Sequence, residues 1–504
     1  MKNNKIKTIV LFAFMAVVML TTKAQNATFE WSDLSSNTKV GLQNPTLVFP
    51  TTSGFTTYSI EKQGTQVFAP ESVFITKFNS NGDIGKTIDF ALPKRALKDA
   101  TLLKVIEGNN KLYVFSFIAV KKDQKNVLYC QVYDNTTGAV SDPNKIYVLP
   151  IEKVGKSGFF NIKLSEDQKT FALLVNKPFE KKTKEKIEVV ILDANLNSIS
   201  NSEHSLSFDS KRAYNEEMFV ENDATVNIIK KTNIFSKSPI TSILTIKEGQ
   251  LSVQTASAEE FYISDNRVIT IDAKQYLVGF ATNNAKPAVS MGGAKDKSVF
   301  IYNITDQKLI NNHSWDQNVT RSLVGKGFID LKVKDLIILN NDIYLIGQCF
   351  TEVSRPIEGQ SFQYNYTYTN GPGIMVRMNT KGGVGFAELL NKTEAFKNEA
   401  QRIASFKPVI MNDNLYFLGN ERVSVLEEKK IVFGWKNINA KAIVSKKIHT
   451  NGTIETKAHK SGIVGGKDNV LDFAPTKTIQ LDDKTFYIYA IGNKYQAFGK
   501  MTID

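Results

Sequence analysis

Lysine-rich segments carry the strongest chemical signal in this chain of 504 residues. Lysines and arginines number 63 against 50 aspartates and glutamates, which gives a formal net charge of +13. The basic segments are Lys121–Lys125, Lys177–Lys186, Lys230–Lys237, Lys286–Lys297, Pro93–Lys98, Glu152–Lys156, Ser210–Arg212 and Lys457–Gly462. Ammonium groups gathered on one surface attract anions over long range. We predict an anion-binding surface that includes Lys181, Lys182 and Lys184; the alternative is that these lysines only keep the protein soluble.

A second group of residues indicates a recognition surface. Tyr364, Tyr366 and Tyr368 alternate within the long segment Thr351–Gly373, so an extended backbone places them on one side. Trp315 lies in an earlier connection that we expect on the same face of the molecule. Aromatic rings with a polar edge suit contacts with a carbohydrate or a protein. We predict that these four residues bind a ligand; the alternative is that the tyrosines extend a sheet and pack at its rim.

Residues for catalysis or metal binding are harder to find. The four histidines are widely separated, and none has ligand spacing to cysteines or carboxylates. The chain contains neither a His-Glu-x-x-His motif nor a Gly-x-Ser-x-Gly motif. The sequence therefore predicts no metal and no cofactor, and it leaves the identity of any catalytic residue unknown.

The elements that position these residues repeat along the chain. Each copy is an apolar run, a tight polar turn and a second run rich in aromatic or β-branched residues. The copies are Thr52–Ile60, Gly108–Phe117, Ser165–Val175, Glu221–Ile229, Ile271–Phe280, Leu339–Gln348, Met411–Asn420 and Leu481–Ala490. The spacing is typical of the four-stranded blades of a β-propeller. The fold class is therefore predicted to be all-β, with eight blades or, as the alternative, seven.

A second hairpin follows each repeat except the last. Its turns contain Asn, Asp or Gly, and they lie in Asn79–Ile84, Asp134–Val140, Asp193–Ile199, Lys247–Leu251, Asn303–Ile310, Asn379–Gly385 and His449–Ile454. The last blade ends with its third strand in Lys494–Ile503, so Ala27–Leu34 is predicted to supply the fourth. Such pairing of the two termini removes exposed sheet edges. Two separate β-sandwich domains are a further alternative, although no Pro/Gly/Ser-rich linker divides the chain.

The propeller prediction also places the lysines. Connections between the second and third strands of a blade, and between successive blades, emerge on one face. The basic segments fall in these connections, so the anion-binding surface is predicted to be this face of the ring.

One repeat carries a family resemblance. Lys163–Val175 resembles the WD40-like repeat of TolB-type bacterial propellers, whose pattern is Ser-Pro-Asp-Gly-Lys followed by apolar residues. Glu166 stands in place of the proline and Gln168 in place of the glycine. Over its whole length the chain resembles exported bacterial β-propeller proteins. The resemblance implies a fold and no particular activity.

The beginning of the chain indicates export. Three lysines precede the apolar run Thr8–Leu20, and small residues at Thr22 and Ala24 suit a signal peptidase. We predict a signal peptide in residues 1–24 and a single propeller domain in residues 25–504, which is periplasmic or extracellular, monomeric and without a transmembrane segment. The alternative is a retained N-terminal anchor. Cys130 and Cys349 are predicted to be buried free thiols, with a disulfide as the alternative.

These observations favour a non-enzymatic binding or scaffold protein of the cell envelope. The expected partner is an anionic glycan or an envelope protein, and nucleic acid is not expected because the protein is exported. The alternative function is a propeller enzyme, a lyase or hydrolase acting on glycans or peptides, since propellers also support catalysis through scattered loop residues.

Overall fold

The computed structural model describes seventeen segments of the chain. They are residues 27–62, 71–95, 98–120, 123–151, 158–178, 183–209, 213–232, 240–256, 262–282, 298–314, 331–356, 364–390, 394–397, 406–431, 441–461, 471–492 and 494–504. The predicted signal peptide lies outside them. Among the described residues, no helix is long and apolar enough to span a membrane.

The described strands form eight antiparallel sheets that follow one another along the chain, and each sheet is one blade. The strands of blades 1 to 4, from first to fourth, are β3 Thr46–Thr51, β4 Gly54–Lys62, β5 Glu71–Asn79 and β6 Ile84–Phe90; β9 Thr101–Gly108, β10 Lys111–Val120, β11 Lys125–Asp134 and β12 Asn144–Pro150; β13 Phe159–Leu164, β14 Thr170–Asn176, β15 Lys184–Asp193 and β16 Ser198–Asp209; and β17 Ala213–Val220, β18 Val226–Thr232, β19 Ile240–Lys247 and β20 Gln250–Thr255. The short pair β7 Lys94–Arg95 and β8 Lys98–Asp99 lies between blades 1 and 2.

Blades 5 to 7 repeat this order. Their strands are β21 Tyr262–Ile271, β22 Lys274–Thr282, β23 Ser298–Asn303 and β24 Lys308–Ser314; β25 Leu331–Leu339, β26 Asp342–Pro356, β27 Tyr364–Asn379 and β28 Val384–Leu390, with β29 Glu394–Lys397 beside β27; and β30 Phe406–Met411, β31 Asn414–Arg422, β32 Lys441–Ile448 and β33 Ile454–His459. A short helix, α1 Val423–Glu428, follows β31.

Blade 8 joins the two ends of the described chain. Its first strand is split into β34 Asp472–Phe473 and β35 Ile479–Gln480 around a 3₁₀ turn, Pro475–Lys477, and both parts pair with β36 Thr485–Ile491. The third strand is β37 Tyr495–Ile503, which also pairs with the short β2 Ser35–Ser36. The outermost strand is β1 Ala27–Trp31, in register from Ala27 opposite Ile503 to Trp31 opposite Gly499.

The eight-bladed prediction and its N-terminal closure are therefore confirmed, and the seven-bladed and two-sandwich alternatives are wrong. The close approach of β1 requires a glycine at position 499. A Cβ atom there would lie 2.5 Å from the Glu30 oxygen and 2.6 Å from the Trp31 ring.

The tight turns explain why the repeated phrase is visible in the sequence. Asn109 and Asn110 have φ angles of 51° and 56°, and Asn412 and Asp413 have 46° and 55°. Two-residue hairpins whose twist matches the strands need positive φ at both positions, which Asn and Asp tolerate well. The runs on either side of each turn become the first and second strands of a blade.

Apolar side chains buried between neighbouring blades hold the ring together. Described clusters lie at all eight interfaces, including the one between blades 8 and 1. Burial of each large apolar side chain contributes about 1.5–3 kcal/mol. The core is thus a ring of interfaces, and its inner edge surrounds the propeller axis.

Candidate functional site

The first strands of the blades form the inner wall of the ring. β9 contacts β13, β13 contacts β17, and β21 contacts β25, so the first strands converge on the central channel that a propeller encloses. Most side chains on these strands pack between blades. Exposed side chains on a first strand project into the channel or stand at its mouth, and they define the surface that a ligand meets there.

Cations predominate among the charged side chains at these exposed positions. Lys104 on β9, Arg267 on β21, and Lys332 and Lys334 on β25 are exposed, while Glu107 is the one exposed acid on the described first strands. None of the four cations forms an ion pair with a carboxylate of the described residues. The channel therefore presents unneutralised positive charge.

The lysines of the channel have a concave, partly dehydrated setting. Burial lowers the pKa of Lys104, and the neighbouring charge of Lys163 lowers it further. Burial also lowers the pKa of Lys334, although Asp335 opposes the shift. Each ammonium touches solvent and is nevertheless surrounded by protein on several sides. An anion that entered this space would relieve the cost of keeping the charges there.

Local backbone features orient these cations. Lys334 is the extra residue of a β-bulge, because the register of β25 against β26 shifts between Val333 and Asp335. A bulge changes the direction of the side chain it carries. Two other cations reach the next blade: Lys104 Nζ donates to the Ile162 oxygen at 3.2 Å, and Arg267 donates to the Val333 oxygen at 3.3 Å.

The predicted lysine site is only partly described. Lys181 and Lys182 lie outside the described residues, whereas Lys184 begins β15 and is exposed. Two other lysines that we assigned to the basic face are neutralised in the structure. Lys177 pairs with Glu188 and lies 3.6 Å from a Glu203 oxygen.

Lys230 is a correction to the sequence interpretation. It lies within β18 and not in the loop that follows, and its side chain is fully buried. Its ammonium donates to Glu185 Oε1 and to Asn215 Oδ1, both at 2.9 Å, and Asn176 also donates to Glu185 at 2.8 Å. Burial lowers the pKa of Lys230, while Glu185 opposes the shift. This network joins blades 3 and 4 and stabilises their interface.

The tyrosine segment forms a hairpin. β26 and β27 continue beyond the other strands of blade 6, and Tyr368 pairs with Glu352, Tyr366 with Ser354 and Tyr364 with Pro356. The sequence alternative in which the tyrosines extend a sheet is thus correct for the backbone. The hairpin root is close to the channel cations of the same blade, since Lys332 is opposite Gln348 on β26. Trp315 lies outside the described residues.

All four histidines of the chain lie at the outer edge of the ring. His204, His313 and His459 are on fourth strands, and His449 is in the turn before a fourth strand. In the segments that the structure describes, no group of His, Cys, Asp or Glu is arranged to hold a metal ion. Cys130 is a buried free thiol, as predicted, and burial raises its pKa. The side chain of Cys349 lies outside the described set.

The sequence interpretation missed the channel cations. Their signal is a lysine or arginine within the first apolar run of a repeat, as in Leu103-Lys104-Val105 and in Leu331-Lys332-Val333-Lys334. A charge at such a position has no place between packed blades, so it indicates the channel side of a first strand.

The comparisons with known proteins agree with the fold and name no relative. No protein-family model matches the chain, and no protein of curated function matches its sequence. The WD40 domain of SCAP from fission yeast is 8% identical, with 93% of this chain and 98% of that chain aligned and a TM-score of 0.39. The propeller domain of the Trilobed protease from Pyrococcus furiosus is 12% identical, with 69% and 96% aligned and a TM-score of 0.33. Polysaccharide lyase Uly1 is 11% identical, with 79% and 89% aligned and a TM-score of 0.36. These likenesses are distant, and the fold assignment rests on the strand pairing itself.

Proposed function

We propose that this protein is an exported, non-enzymatic binding propeller of the cell envelope that takes an anionic glycan at its channel. The observation that carries the proposal is the predominance of cations at the exposed, charged positions of the first strands. The basic n-region and apolar run at the start of the chain support export.

The state of the lysines favours an anionic ligand. A partly dehydrated ammonium without a carboxylate partner gains from a sulfate or carboxylate group that enters the channel. Hydrogen bonds to charged groups contribute about 1.5–3 kcal/mol each. Lys332 and Lys334 lie toward the beginning of β25, at the end of the channel where the basic segments between strands and blades emerge. A polyanion attracted to that face therefore meets these lysines first.

The hairpin of blade 6 favours a glycan among anionic ligands. It continues past the paired residues Leu331 and Cys349, so its tyrosine positions lie beyond the channel mouth on the same face as Lys332. Tyrosine rings provide flat apolar area with a polar edge, which suits sugar rings. Cations that hold acidic groups and aromatic residues that hold rings are the two contacts an acidic polysaccharide needs.

The positions of the histidines favour binding over histidine-based catalysis at the channel. A general base must reach the reacting group within hydrogen-bond distance. All four histidines lie on fourth strands or in the turn before one, on the opposite edge of the blades from the first strands. The acidic glycan is accordingly expected to be retained without being cleaved.

The proposal is tested by replacing the two lysines of β25 and measuring binding to immobilised heparin across a salt series. We expect K332Q/K334Q to bind about tenfold more weakly or worse, since a loss of about 1.4 kcal/mol corresponds to one factor of ten. The matched control is K145Q/K308Q, which removes the same charge from exposed positions on the fourth strands of blades 2 and 5.

Equal weakening by both double variants would mean that net charge alone causes retention, and the channel site would be abandoned. Release of unsaturated or newly reducing sugar products during incubation would favour the lyase or hydrolase alternative. Capture of a specific envelope protein, with no retention on anionic glycans, would favour a protein partner.

A further inference from the structure

A small polar cleft lies on the face of blade 7 that packs against blade 8. Its volume is about 180 Å³, and it is lined by Tyr416, Ser445, Lys447, Glu455 and Lys457. The sheet register explains the grouping, because Lys447 is opposite both Tyr416 and Glu455, and Ser445 is opposite Lys457. The volume is below the roughly 300–1,000 Å³ of pockets that hold drug-sized molecules. The cleft therefore suits a small ion or a single functional group.

A buried hydrogen bond forms the floor of this cleft. Ser445 Oγ lies 2.8 Å from His459 Nε2, and both residues are buried. Burial and the nearby Lys457 lower the pKa of His459 to about 4, so the ring is neutral at pH 7. When the ring proton is on Nε2, His459 donates to Ser445 and the serine hydroxyl is free to donate into the cleft.

The charged side chains of the cleft carry an excess of one positive charge. Lys447 and Lys457 are half-buried, and Lys447 Nζ lies 6.0 Å from the centre of the Tyr416 ring, which fixes the ammonium over an aromatic face. Glu455 is the one acid among the lining residues. Its two oxygens lie 3.4 Å from Lys457 and 3.6 Å from His449, so its charge is shared between two cationic or potentially cationic groups.

We propose that this cleft binds a tetrahedral oxyanion, a phosphate or sulfate group. Lys447 and Lys457 neutralise its charge, and the Ser445 hydroxyl donates a hydrogen bond. Charge-assisted hydrogen bonds from two ammonium groups are the usual means by which lysines hold such anions. The site is separate from the channel, lies among the outer strands of the ring, and does not depend on the glycan proposal.

The test is titration of the purified protein with inorganic phosphate, followed by isothermal calorimetry or phosphorus NMR. We expect saturable binding that K447Q/K457Q weakens by at least about tenfold. E455Q should have the opposite effect and tighten binding, because it removes the negative charge and releases Lys457 toward the anion. The matched control, K429Q/K430Q, removes two exposed charges after α1 in the same blade and should leave phosphate binding unchanged.

The signs of these effects keep the proposal open to refutation. Absence of saturable phosphate or sulfate binding to the wild-type protein would overturn it. So would tighter binding in K447Q/K457Q or weaker binding in E455Q, provided the circular dichroism spectrum shows a folded protein. K332Q/K334Q should bind phosphate normally, so failure of the channel proposal would not affect this result.

A competition experiment identifies the source of the anion. Galactose 6-sulfate that displaces phosphate at lower concentration than inorganic sulfate would assign the site to a terminal sulfate of a sugar. Displacement by inorganic sulfate at equal or lower concentration would assign it to the free ion.

Discussion

Phe78 of blade 1 and Phe498 of blade 8 pack with their ring centroids 4.3 Å apart, although they lie near opposite ends of the described chain. Phe55 stacks on Phe78 at 4.7 Å and contacts Tyr487 at the same distance. Tyr487 in turn donates its hydroxyl hydrogen to the Thr51 oxygen at 2.7 Å. This aromatic cluster is the seam at which the ring closes, and its packing joins the first and last blades.

Truncation of Phe498 should weaken this seam. F498A removes a ring that is 1% exposed, and Phe-to-Ala changes in a core cost about 3–5 kcal/mol. We expect a clearly lower urea midpoint for unfolding, followed by tryptophan fluorescence. The control is Y495A on the same strand, where the ring is 38% exposed and the expected cost is within about 0.5 kcal/mol. Similar losses in both variants would mean that the seam does not limit stability.

Removal of the N-terminal strand should open the ring. Deletion of residues 27–34 takes away all of β1 and exposes the unpaired edge of β37. It also removes the bond at 2.6 Å from the Trp31 indole to the Ser461 oxygen, which joins β1 to blade 7. We expect a marked fall in melting temperature by calorimetry and concentration-dependent association by light scattering, because free sheet edges pair with other chains. A deletion variant that melts like the full protein and stays monomeric would contradict N-terminal closure.

Acid should destabilise the protein through His459. The pKa of this histidine is about 4 in the folded protein, mainly because of burial, against an ordinary value of 6.5. Between these two values the unfolded chain binds more protons than the folded one, so the free energy of unfolding falls as the pH is lowered from 7 toward 4. One pKa unit corresponds to about 1.4 kcal/mol, which gives a loss of about 3 kcal/mol.

The measurement compares urea unfolding of the wild type and H459Q at pH 7 and pH 4.5. Other titrating groups are common to both proteins, so the difference between the two pH dependences isolates the histidine. Glutamine retains a polar partner for Ser445 and does not titrate. A pH dependence of equal size in the two proteins would show that His459 does not carry the effect.

The blade count was predictable because turn chemistry is local. Asn340 and Asn341 adopt φ of 52° and 64°, a conformation that few residues other than Gly, Asn and Asp tolerate. In the repeat that resembles TolB-type propellers, Gln168 takes φ 60° at the position of the glycine. Ser165 donates to Asp167 at 2.7 Å and accepts from the Thr170 N–H at 3.0 Å, which forms the turn without that glycine.

The candidate site was less predictable because it depends on contacts between distant blades. The sequence does not show that β18 includes Lys230, which is buried because Glu185 of the preceding blade faces it. The direction of Lys334 depends on a bulge in β25 that has no marker residue such as glycine. A run of lysines in the sequence therefore divides into buried, paired and exposed charges only when the neighbouring blades are in place.

The tyrosines of the blade 6 hairpin should contribute to ligand binding more than to the stability of the propeller. Tyr364, Tyr366 and Tyr368 alternate on β27, outside the four-stranded part of the blade. Aromatic contacts contribute about 0.5–1.5 kcal/mol each, so replacement of all three by serine should weaken heparin binding roughly tenfold or more. The melting temperature should change little, because the hydrophobic clusters between blades do not include these residues.

The control for this triple variant replaces the intervening residues Asn365, Thr367 and Thr369 by serine. These positions alternate with the tyrosines on the same strand, so the backbone is perturbed at the same place while the aromatic rings remain. We expect heparin binding close to that of the wild type. If the tyrosine variant instead melts far below the control, the rings pack into blade 6 and serve its stability. If both variants bind heparin equally well, the glycan contacts are confined to the channel cations, and the hairpin is no part of the recognition surface.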